Sequence, residues 1–132
     1  MGKSSRASLR IASKVLTGSE LSLLINKKPN SQHDIGERMS NRNPNSLIRE
    51  ESLAIFDSSL NDDEPLESHM LEIIELIKSN SQTLKESADL IEMSIECSFG
   101  TDNGQGGWTL DTDAICSLSE FPLQVNFDIY SY

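Results

Sequence analysis

"LIEMSIECSFGTDNGQGGWTLDTDAICSLSEFPLQVNFDIY" fills residues 90–130. Its first ten residues alternate. Ile91, Met93, Ile95, Cys97 and Phe99 fall on one side, and Glu92, Ser94, Glu96 and Ser98 on the other. A period of two sends successive side chains to opposite faces of a pleated strand, so 90–99 reads as a strand with one dry and one wet face. Residues 123–130 repeat the pattern, with Leu123, Val125, Phe127 and Ile129 predicted inward and Gln124, Asn126, Asp128 and Tyr130 outward. Between the two, 110–122 reads as a short helix capped by Asp111 or Thr112, with Ala114, Ile115 and Leu118 as its apolar face and Pro122 as its stop. Strands that alternate this cleanly keep one face in water, so helices are expected on one side of the sheet only.

Working outward, residues 7–13 alternate Ala7, Leu9 and Ile11 against Ser8 and Arg10, a second half-buried strand. Thr17 with Glu20 three residues on forms a capping box, opening a short helix with Leu21, Leu24 and Ile25 on one face before Pro29. The polar stretch 29–46 is predicted as loop with a short strand at 35–39, and a further strand is centred on 53–57. Asp62 or Asp63 is a candidate cap for the next helix, with Pro65 in its first turn. Leu66, Met70, Ile73, Ile74 and Ile77 then form one helical stripe, and the helix is expected to end near 79–81, with another turn or two after it. The sum is an α+β, two-layer α/β sandwich. One mixed or mostly antiparallel sheet of four to five strands carries helices on one face, in a single domain over 1–132 with a polar loop region at 29–50. The long helical stripe and the two C-terminal strands are expected to dominate stability.

Composition narrows the function classes. Residues 1–50 hold nine Lys/Arg and four Asp/Glu, a balance of +5, whereas 51–132 hold two and seventeen, a balance of −15. Such a field repels nucleic acid and anionic membranes and attracts basic partners. No run approaches the ~18 apolar residues of a membrane span, and the N-terminus has no apolar run suited to a signal peptide. Gly2 fits the start of a myristoylation pattern, but Arg6 stands where Ser or Thr is needed. Cys97 and Cys116 are therefore expected as reduced thiols, one on a strand and one on a helix, in a cytoplasmic protein. With His33 and His69 they make no metal spacing.

The glycine-rich turn "GTDNGQGGW" (100–108) invites a phosphate or calcium reading and fits neither. A Walker loop needs Lys and Ser or Thr after its glycines, and Trp108 and Thr109 stand there. The spacing of Gly100, Gly104, Gly106 and Gly107 is not that of a dinucleotide fingerprint, and Asp102 would repel phosphate. An EF-hand needs oxygen ligands where Gly104 and Gly106 stand, and Asp111 and Asp113 are accounted for by helix capping better than by a cluster with Asp102. The glycines read as a tight connection, with Trp108 a lid on the edge of the core. His69, between Leu66 and Met70, reads as a packed helix-edge residue rather than a general base. Glu92, Glu96 and Asp128 read as a solvated or partner-binding surface rather than an acid–base pair. No cofactor, metal or catalytic residue is expected.

Three segments carry a resemblance: "ASLRIAS" with "TGSELSLLIN", "IFDSSL" with "PLESHMLEIIELI", and "IEMSIECSFGTDNGQGGWTLDTDAICSLSEFPLQVNFDIYS". Together they resemble the bacterial family catalogued as domain of unknown function 4279, over nearly the whole chain. The C-terminal third is its most specific part, and the stretch 29–50 is where the chain departs from it. The family supplies no established catalytic residues. Its members resemble small immunity proteins found beside bacterial toxins. That resemblance implies a monomeric, non-enzymatic protein that binds a cognate toxin domain, such as a nuclease, and blocks its basic groove. Candidate contacts are Glu92, Glu96 and Asp128 on the open sheet face, Asp62, Asp63 and Glu64 as a second patch, and Trp108, Tyr130 and Tyr132 as aromatic anchors. The alternative expectation is a small-ligand-binding domain or an enzyme with a pocket near 100–109.

Overall fold

In the computed structural model, residues 3–103 and 106–131 are described; Gly2, Gly104 and Tyr132, singled out above, lie outside them. The elements run β1 (Lys3–Ser13), α1 (Gly18–Ser22), β2 (Ser31–His33), β3 (Ser52–Asp57), α2 (Leu66–Ser79), α3 (Ser81–Glu86), a 3-10 turn (Ala88–Leu90), β4 (Glu92–Thr101), α4 (Thr112–Leu118) and β5 (Leu123–Ser131). One five-stranded sheet forms in the order β2-β3-β1-β4-β5. β1 is antiparallel to both β3 and β4, β2 is antiparallel to β3, and β5 joins parallel to β4 through the α4 crossover. The fold is α+β with a mixed, open sheet, as the alternation predicts.

Register explains the core. Leu9 lies between Phe56 and Ile95, and Ile11 between Ala54 and Met93, so three strands present one continuous apolar face. Onto it α2 lays Leu66, Met70, Ile73 and Ile77, all buried, with Leu21 and Ile25 from the α1 region and Leu84 from α3 filling the flank. The Thr17 capping box forms as predicted: Glu20 N donates to Thr17 Oγ1 at 3.1 Å, and Thr17 N to Glu20 Oε1 at 3.0 Å. Gly18 is buried so closely that an added Cβ would lie 2.7 Å from the His33 carbonyl oxygen, which ties α1 to β2.

Several expectations are corrected. β1 begins at Lys3, four residues earlier than the alternation suggested. The short strand in the polar segment is Ser31–His33, not 35–39. Gly36 takes φ +89° and turns the chain, after which only the Arg38–Ile48 bridge continues the pairing. Neither Asp62 nor Asp63 caps α2: Pro65 occupies the N-cap place without a side-chain bond, and Asp62 is turned to Arg6 instead. Asp111 does cap α4, accepting from Ala114 N at 2.9 Å, but Ile115 is 53% exposed rather than packed. Residues 114 and 118 are one turn apart and face the core side, whereas 115 is rotated ~100° away from 114.

The largest correction concerns β5. Leu123 and Val125 pack against the core, but Phe127 is 41% and Ile129 61% exposed. α4 has seven residues and spans about 10 Å, whereas the nine residues of β5 extend about 30 Å. The crossover helix is too short to roof the strand it serves. β5 therefore contributes less burial than its sequence promises, and α2 with β1, β3 and β4 holds the core.

Candidate functional site

Inserting the N-terminal strand β1 between β3 and β4 decides the open face. Side chains at 6, 8, 10 and 12 point away from the helices, beside Ser94, Glu96 and Ser98 of β4. Arg6 and Arg10 thus stand in the middle of a face that the C-terminal sequence alone would make acidic. Each is held by a carboxylate: Arg6 in a two-pronged pair with Asp62 at 3.1 and 3.0 Å, Arg10 with Glu51 at 3.2 Å. The pairing with Arg6 holds the Asp62 carboxyl below its usual range and raises the Arg6 guanidinium. Both groups are exposed, so the pair orients the 61–64 turn more than it stabilises the fold.

Beyond β1 the acidic candidates remain. Glu96 accepts from Asn126 Nδ2 across the β4–β5 pair at 2.7 Å, and Asp128 stands beside Ser98, one row along. Glu92 is four residues down the strand from Glu96, about 13 Å away at ~3.3 Å per residue, so it belongs to the same face but not to one compact cluster. A cleft of about 610 Å³ runs along this end of the face, with Arg10, Glu92, Ser94, Glu96, Gln124 and Asn126 in its lining. Asp63 and Glu64 are exposed on the neighbouring turn. The segment 27–49, with five Lys/Arg and two Asp/Glu, flanks the β2–β3 side of the sheet.

The aromatic candidates divide between the two faces. Trp108 sits on the helix side, half-buried, with ring centroids 5.2 Å from Phe99 and 5.3 Å from Phe127. Tyr130 lies on the open side directly over Gly100, where an added Cβ would run into the Tyr130 ring. The two converge at the end of β5, where Phe99, Thr101, Gly106, Trp108, Ile129 and Tyr130 line a cavity of about 420 Å³ beside the glycine loop. Phe127 and Ile129 are the surface residues that the sequence misassigns. The signal for them was present in the shortness of the capped helix between Asp111 and Pro122.

His69 lies fully buried on α2, as a packed residue should. Its Nε2 meets the Asn61 carbonyl at 3.0 Å and its Nδ1 the Ser58 hydroxyl. A carbonyl only accepts, so Nε2 carries hydrogen, and in the neutral ring Nδ1 then accepts from the Ser58 hydroxyl. A hydroxyl beside an imidazole invites a nucleophilic reading. The neighbouring donors are occupied, however: Ser58 N donates to the Ala7 carbonyl and Ser59 N to Glu72. The pair fastens the 58–61 turn to α2. Among the described residues no three His, Cys, Asp or Glu side chains group as a metal site would require, and no helix is long and apolar enough to cross a membrane.

The thiols differ sharply. Cys97 is buried on the core face of β4, and burial, with the Glu96 charge beside it, pushes its pKa up to about 12. Cys116 is exposed on α4. An alkylating reagent near pH 8 is expected to modify Cys116 and to spare Cys97 until the chain unfolds, read by peptide mass. Because the folded chain holds the Cys97 proton more tightly, stability from this site is intact below the ordinary thiol pKa of 9.0 and is lost as pH rises from there toward 12.

The chain matches no curated protein and no solved structure with which it was compared. A family described as a domain of unknown function, DUF4279, matches residues 3–132. With essentially every residue of the described fold inside that match, the chain belongs to the DUF4279 family.

Proposed function

We propose that this protein is an immunity protein: a binding protein, without chemistry of its own, that docks on a basic bacterial toxin domain and occludes its groove. The reading is supported chiefly by the collection of acidic side chains on the β4–β5 half of the open face. Glu92 and Asp128 are exposed there and make no ion pair among the described residues. A nuclease groove is basic because it holds phosphate, and an acidic surface would compete for it and speed the encounter.

The test is to look for a toxin gene beside this one, express its toxin domain and measure the association rate. Between about 0.01 M and 1 M ionic strength the screening length falls from ~30 to ~3 Å, so the rate should drop by roughly tenfold or more. The triple variant Glu92→Lys, Glu96→Lys, Asp128→Lys should associate more slowly by a similar factor at low salt while its melting temperature stays within a few degrees. Absence of any complex would overturn the reading; a complex whose formation is indifferent to salt would remove the electrostatic part of it. A second reading, a small-ligand site, draws on the cavity beside Trp108 and Gly106. It would be favoured by a metabolite that shifts the melting temperature where the toxin does not.

A further inference from the structure

We infer that the partner docks by adding an extended, basic strand to the free edge of β5, as a sixth strand of the sheet; this rests on the binding reading above and names its contact. β5 ends the sheet and is nine residues long, with no proline, lysine or arginine anywhere in Leu123–Ser131. Proteins ordinarily guard such an edge with short strands, charged residues (lysine above all), proline or a bulge. The opposite edge obeys that rule, since β2 has three residues. Of these guards β5 carries only the single negative charge of Asp128, which a basic partner would neutralise.

The two sides of the edge specify the occupant. On the helix side Phe127 and Ile129 are exposed beside the stacked Trp108 ring. On the open side Asp128 stands at the rim, with Glu96 one strand further in. An incoming strand alternates its side chains between these sides, so one that alternates apolar with basic residues would cover the apolar patch and pair the carboxylates together. Main-chain hydrogen bonds would supply affinity and the alternation selectivity. A second copy of this chain is the poorer occupant. Antiparallel self-pairing about Phe127 would set the Asp128 side chains of both copies on one face two residues apart in register, and would join two molecules each carrying −10.

The probe is a nine-residue peptide alternating lysine with valine or isoleucine, beside the same peptide N-methylated at the alternate amides that would face β5. Trp108 is the chain's only tryptophan and reports directly on its stacked neighbour Phe127. The unmodified peptide should give a saturable change in Trp108 fluorescence that weakens with salt, and should slow amide exchange at residues within 124–130 by roughly tenfold or more. N-methylation should abolish both effects. Ile129→Lys should weaken binding at least tenfold, and Asp128→Lys, on the opposite side of the strand, serves as the second variant should Ile129→Lys fail to fold. Equal binding of the N-methylated peptide, exchange protection elsewhere, no binding at all, or self-association through β5 in sedimentation would each overturn the inference. The same variants separate this inference from the immunity reading. A toxin domain that binds Ile129→Lys and Asp128→Lys as tightly as the natural chain leaves immunity standing and removes the edge. A peptide that pairs with β5 while the toxin domain does not bind does the reverse.

Discussion

Phe56→Ala is expected to lower the unfolding free energy by about 3–5 kcal/mol, the range for deleting a fully buried aromatic side chain. Phe56 is completely enclosed on β3, directly across from Leu9 and under the helix layer. Its neighbours are fixed in two directions by the pairing of β1 with both β3 and β4, so the cavity cannot close by sliding one strand. A domain of this size has about 5–15 kcal/mol in total, so the variant should be close to unfolding at ordinary temperature. The measurement is a urea titration, with the midpoint falling and the slope unchanged. Phe127→Ala is the built-in control. Phe127 belongs to an equally alternating strand but is 41% exposed, so even with its Trp108 stack its truncation should cost about 1–2 kcal/mol. Equal losses at the two positions would mean that β5 is roofed after all.

His69→Ala should cost about 2–4 kcal/mol, from the cavity under α2 and from the hydrogen bonds lost to the Asn61 carbonyl and the Ser58 hydroxyl. Because the imidazole donates at one nitrogen and accepts at the other, His69→Gln should recover part of the loss, while His69→Leu should recover packing alone. Denaturant midpoints rank the three. On the proposed immunity reading, the variants should leave association with a toxin domain unchanged once the protein is folded, since His69 is buried away from β5. A loss of association in folded His69→Gln would give this residue a role beyond fastening the turn.

The parts of the fold legible in the sequence are those in which periodicity and burial agree. Leu66 through Ile77, Met93 through Phe99 and the Thr17–Glu20 box all behave as their spacing requires. β5 was legible as a strand but not as a half-bare one. Alternation reports which side chains share a face, and says nothing of whether another element is long enough to cover that face. Asp62 illustrates the same limit. Its position before Pro65 suggests a cap, and a guanidinium distant in sequence outcompetes the helix terminus for it. Of the candidate site, Glu92, Glu96 and Asp128 were correctly placed on the wet face because strand parity alone decides that. The presence of Arg6 and Arg10 between them and β3 depended on strand order, which no local pattern encodes.

The placement of β1 also bears on how the chain is made. During synthesis β1 leaves the ribosome before either of its neighbours: Leu9 must wait for Phe56 on one side and for Ile95 on the other. Until residue 101 has emerged, this eleven-residue apolar-faced ribbon has at most one flank fully paired, and closing the other spans a long loop at an entropic cost. The nascent chain thus passes through a stage in which its central strand is open to chaperones and to misassembly.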